Sequence, residues 1–163
     1  MNLEPKFIAD ASLAGLSKWL RLLGFDTVVY KGEAGRPMMR QATAEGRILL
    51  TRRRDMLERQ FAGYVHLLPP IPVGGQLSLL VNKLSLEIHP EKMFQICLIC
   101  NDLLQPCDRN EATDLVPSYV HENTEKFTRC NRCDKIYWPG THGRNALNFL
   151  KENGIILRDM TVF

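Results

Sequence analysis

The clearest chemistry in this 163-residue chain belongs to its cysteines. "CLIC" holds Cys97 and Cys100, and "CNRC" holds Cys130 and Cys133. Each motif sets two thiols on a tight turn that can grip one tetrahedral ion, and two such turns complete a four-cysteine site for structural zinc. The spacer, residues 101–129, exceeds the ~15–20 residues usual for this pattern. Closure entropy grows only logarithmically with loop length, so the longer spacer costs little. A redox dithiol or disulfides are the alternatives. Cys107 fits neither pair and reads as a free thiol. An odd cysteine count and an N-terminus, "MNLEPKFIAD", without a long apolar run argue against a secreted disulfide framework. The expected location is the cytoplasm.

A closed four-cysteine site leaves reaction chemistry to other groups. Asp10 ends the apolar run "KFIAD" directly before a helical pattern. A carboxylate there could hold Mg²⁺ or Mn²⁺, and metal-dependent phosphodiester cleavage needs several such carboxylates at one spot. The alternative is that Asp10 caps the helix from residue 12. In "RILLTRRRDM" an apolar run stops at Thr51 and is followed by Arg52, Arg53, Arg54 and Asp55. Asp55 either turns toward Asp10 or caps a first helical turn. The arginines could bind RNA phosphates. In "KIYWPGTHG", Tyr137 and Trp138 could stack on an unpaired base and His142 could contact a phosphate or a substrate hydroxyl. Otherwise both aromatics pack the cysteine-rich segment against the rest. Lys126, Arg129, Arg132, Lys135 and Arg144 form either a basic face or a merely solvated one.

The elements that must position these groups follow from periodicity. Strands are expected at 6–10, 26–30, 47–51 and 64–68. Helices are expected at 12–24, with Ser12 as N-cap, at 36–46, at 54–61 and at 76–88. Residues 69–75 read as a loop and 89–92 as a linker. Residues 143–154 read as a closing helix and 155–163 as a β-rich tail. Strands alternating with helices over short connections imply βαβ units and a mostly parallel sheet. Sites in such sheets form outside the carboxyl ends of the strands, so Asp10 and "TRRRD" should share one edge. Asp26 precedes its strand and should lie at the opposite edge, as a turn or cap residue. The expected organisation is an α/β domain over 1–90 and a zinc ribbon with its closing helix and strand over 91–163.

Three segments in register, "FIADASLAGLSKWLRLLGFDT", "AEGRILLTR" and the two cysteine pairs followed by "YWPGTH", resemble the Mut-seven C-terminal RNase domain family. The resemblance covers nearly the whole chain. It implies a PIN-like α/β nuclease fold with a zinc ribbon, and RNase function. Two acidic positions depart from the family pattern. Thr-Arg-Asp after the third strand is Thr51-Arg52-Arg53 here, and near the start of the helix after strand two only Glu33 is available.

Charge alone decides little. The chain carries 21 Lys+Arg against 18 Asp+Glu, with the excess in residues 1–60, which permits a local basic patch without requiring one. No apolar run approaches the ~20 residues of a membrane span, so no membrane partner is expected. Three functions remain open. The first is a metal-dependent ribonuclease with Asp10 as main ligand for Mg²⁺ or Mn²⁺, helped by Glu33 and Asp55. The second is a non-catalytic RNA-binding protein with a degenerate site. The third is a protein-interaction module built on the ribbon.

Overall fold

The computed structural model describes residues 3–155 and 157. Four short strands, β1 (Phe7–Ala9), β2 (Thr27–Val29), β3 (Ile48–Thr51) and β4 (Val65–Leu67), form one parallel sheet in the order β2-β1-β3-β4. β1 is central, and its run Phe7-Ile8-Ala9 is wholly buried. Such continuous apolar strands suit a parallel sheet covered on both faces. The register sets Ala9 beside Val29 and Leu50, so β1 and β3 end level. Asp10 and Thr51 therefore leave the sheet at one edge.

Helices cover both faces. α1 (Ala14–Leu22) and α3 (Val73–Lys83) join Phe7, Ala9, Leu50 and Leu68 in the larger core. α2 (Arg36–Glu45) turns Met38, Met39 and Ala42 onto Ile8 and Leu49 on the other face. α2 stops at Gly46, whose φ of 64° is the left-handed conformation that glycine adopts without penalty.

After a linking 3-10 turn (Pro90–Lys92) the chain forms an antiparallel sheet of β5 (Gln105–Cys107), β6 (Phe127–Arg129) and β7 (Ile136–Tyr137). Between β5 and β6 lie two short helices, α4 (Arg109–Ala112) and α5 (Ser118–Asn123). Cys107, Ala112, Val116, Val120, Phe127 and Ile136 make a small core there. The closing helix α6 (Thr141–Glu152) packs elsewhere. Ala146 and Leu150 lie in the larger core, and Phe149 stacks on Trp19 of α1 at 4.2 Å between ring centroids.

Three local expectations differ from the structure. The helical run from Arg54 is only a 3-10 turn (Arg54–Glu58), because the backbone is extended again at Arg59 on its way to β4. The segment 73–75, expected as loop, is the first turn of α3. Gly74 is helical despite its low propensity, and the end of α6 approaches it closely: a Cβ there would overlap the Asn153 side-chain amide. The cap of the first helical segment is Asp10 rather than Ser12. The expected β-rich tail 155–163 falls largely outside the described residues.

Candidate functional site

Asp10 is almost fully buried, at 6 % exposure, and its carboxylate is saturated. Oδ1 accepts from the Ser12 N–H at 3.0 Å and from the Ser12 hydroxyl. Oδ2 accepts from the Thr51 hydroxyl at 2.6 Å and from the Arg52 N–H at 3.1 Å. Four donors meet the roughly four acceptor positions of a carboxylate. Burial alone would raise the Asp10 pKa, but the bonds from Ser12, Thr51 and Arg52 outweigh it and hold the group below the usual carboxylate range. Asp10 thus caps the turn after β1 and ties it to the end of β3.

Arg53 occupies the neighbouring space. Its Nε and Nη2 each lie 3.0 Å from an Asp55 oxygen, a bidentate pairing. Nη1 donates to the Ala34 carbonyl at 2.9 Å and to Glu33 at 3.3 Å. Arg59 also donates to Asp55, at 3.2 Å from the Oδ2 that Arg53 Nη2 engages. The Asp55 pKa is lowered, first by its bond to Arg53, against a smaller opposing effect of burial. The structure therefore joins Glu33 and Asp55 through the Arg53 side chain, while Asp10 meets Arg53 only indirectly, through the Thr51 hydroxyl that accepts from the Arg53 N–H at 3.1 Å. These three carboxylates do not form a metal-binding group among the described residues. Their partners fit a divalent cation poorly: an arginine already sits between two of them, and the third has no acceptor position to spare. Arg52 and Arg54 are exposed on the same segment.

The cysteine pairs do converge. The ligand atoms of Cys97, Cys100, Cys130 and Cys133 all lie within 4.8 Å of one another, so the four could hold a metal such as zinc. Cys97 Sγ and Cys133 Sγ are 3.7 Å apart, close to the edge of about 3.8 Å that a tetrahedron with Zn–S near 2.3 Å would have. Burial pushes the Cys97 thiol up, but hydrogen bonds from Tyr137, Cys100 N–H and Ile99 N–H overcome it and bring the pKa down to about 7. Cys100 goes the other way, to about 12, through desolvation, sharing with Cys133 and Cys130, and the negative charge of Cys97. One thiolate discourages the next, a conflict that a divalent cation removes.

This cluster is anchored to the α/β sheet. Arg21 of α1, buried, donates to the carbonyls of Thr27 (2.8 Å), Leu98 (2.7 Å) and Ile99 (3.2 Å). Asn101 accepts from Thr27 N–H at 2.8 Å and donates to Asp26 at 2.6 Å. Asp26 also pairs with Arg47 at 2.7 Å, just before β3. Asp26 thus works at the amino edge of the sheet, opposite Asp10. Nothing in the spacing of Arg21 or Asn101 marks them as anchors, since Arg21 meets Leu98 across 77 positions and Asn101 meets Thr27 across 74.

The other sequence candidates are placed as follows. The Tyr137 hydroxyl accepts from Leu98 N–H at 3.1 Å and lies 3.3 Å from Cys97 Sγ, and Lys135 stands over its ring. Trp138 packs on the small core of the ribbon. His142 is exposed in the first turn of α6. No helix of the described residues is long and apolar enough to cross a membrane.

No curated protein matches the chain. Residues 5–150 match the family model described as the Mut7-C RNAse domain. That span takes in the sheet, the Asp10 edge and both cysteine pairs, so the chain belongs to the Mut7-C RNAse domain family.

Proposed function

We propose that this chain is a non-catalytic RNA-binding member of its family, with a structural zinc ribbon and with its RNA surface beginning at the carboxyl edge of the parallel sheet. The observation that carries this reading is Arg53. Its guanidinium engages Glu33 and Asp55 together, so a fixed cation already pairs with the two carboxylates that would have to join Asp10 around a catalytic ion. The same edge carries Arg52 and Arg54, exposed cations suited to phosphate contact. The four thiols would hold the zinc, which supplies folding energy to a segment with a small core of its own.

The family match favours a second reading, a metal-dependent ribonuclease using Asp10, Glu33 and Asp55 with Mg²⁺ or Mn²⁺. That reading requires Arg53 to release both of its carboxylates and Asp10 to give up hydroxyl donors. An RNA cleavage assay with Mn²⁺, run beside Asp10→Ala, separates the two. The proposal expects salt-dependent RNA binding and no Mn²⁺-dependent cleavage by either protein. Cleavage by the wild-type chain that is lost in Asp10→Ala would establish the ribonuclease instead.

A further inference from the structure

Beside the Arg53 network, α2 and the segment leading to β4 enclose an open groove of about 910 Å³. Arg36 and Arg40 line it from α2, and Glu58, Arg59 and Phe61 line it from the opposite side. Arg36 and Arg40 are exposed and make no ion pair or side-chain hydrogen bond among the described residues. Their placement is locally unfavourable twice over. Like charges four residues apart on a helix repel each other. Arg36 is also the first residue of α2, where the helix dipole disfavours a cation. Ordinary helix design does not explain this pair, whereas an anionic ligand in the groove would relieve both costs.

The groove is continuous with the carboxyl edge. Glu33, Arg53, Asp55 and Arg59 form an unbroken chain of ion pairs, and Arg59 at its far end is a wall of the groove. That chain is neutral as a whole. Arg36 and Arg40 therefore stand as the cations in excess, with Glu58 the acidic residue among the groove's walls. Phe61 adds an apolar ring. It packs on the core under α2, and its pose depends on Gly63, where a Cβ would come within 2.6 Å of the ring. Cations that follow a backbone beside an aromatic ring are the usual means of holding single-stranded nucleic acid.

We infer that this groove is the track for single-stranded RNA, with Arg36 and Arg40 on successive phosphates and Phe61 against a base. The inference rests on the RNA-binding reading above and assigns its surface to α2 rather than to the ribbon.

The test is fluorescence anisotropy with a labelled single-stranded oligoribonucleotide across a salt series. It compares the wild-type chain, Arg36→Gln/Arg40→Gln, and Lys126→Ala/Arg144→Ala on the cysteine-rich half. The groove variant should bind about tenfold or more weakly at low salt, and its log Kd against log salt slope should fall by about 1.4, the value for two single-strand phosphate contacts. Its melting temperature should not fall, because both arginines are exposed. The Lys126/Arg144 variant should bind as wild type does. A groove variant with wild-type affinity and slope overturns the groove assignment while leaving RNA binding intact. A wild-type chain that binds no RNA overturns both.

Discussion

Asp10 is the residue on which the sequence offered two roles, and the structure gives its side chain four donors and a capping position. Asp10→Ala leaves those donors unpaired at the join of β1 and β3. It should cost about 1–3 kcal/mol in urea unfolding. The folded Asp10 pKa is lowered, so its contribution is fully present above the unfolded value near 3.8 and is lost as pH falls through the lower folded value. Asp26 has the same sign: burial raises its pKa, and Arg47 and Asn101 outweigh burial. Stability should therefore decline below about pH 4, and Asp10→Asn should flatten that decline when unfolding is followed between about pH 5 and pH 2. Arg53 was legible as a departure from the family pattern. Its grip on both Glu33 and Asp55 was not, because Glu33 reaches it from twenty residues away.

The strands and most helices could be read from the sequence for simple reasons. β1 and β3 are short apolar runs, and the buried residues of α1 and α2 recur at helical spacing. The first turn of α3 could not be read this way. Gly74 and Gly75 signal a loop locally, and only the approach of α6 favours glycine at residue 74. Gly74→Ala should destabilise by no more than about 1 kcal/mol, because the Asn153 amide can swing aside at the loss of its bond to the Phe149 carbonyl and alanine itself favours the helix. Asn153→Ala in the same chain should recover much of that loss, since the clash is with the end of one side chain, and thermal melts of the single and double variants would show it. The cysteine turn at 97–100 was legible from spacing, but its mooring by Arg21 was not. Arg21→Met removes three hydrogen bonds to carbonyls of β2 and the cysteine turn. It should speed chelator-driven metal release, followed with a chromogenic zinc indicator, without removing a ligand.

At the scale of the whole molecule, the larger core is built from both ends of the chain. Leu20, Leu77 and Leu80 share it with Ala146 and Leu150 of α6. A fragment ending at residue 90 loses Phe149 from Trp19 and the apolar face of α6, so it should lack a cooperative thermal transition that the full chain shows. The chain thus combines the parallel sheet of its family, a four-cysteine cluster that could hold a metal, moored at the amino edge of that sheet, and a carboxyl edge where Arg53 pairs with Glu33 and Asp55. Whether that carboxyl edge takes up a divalent ion separates the proposed RNA binding from cleavage. Electron paramagnetic resonance of Mn²⁺ titrated into the zinc-loaded protein tests it directly. The free Mn²⁺ signal should rise in proportion to added metal, identically for wild type and Asp10→Ala. A stoichiometric Mn²⁺ site in the wild-type protein that disappears in Asp10→Ala would contradict it.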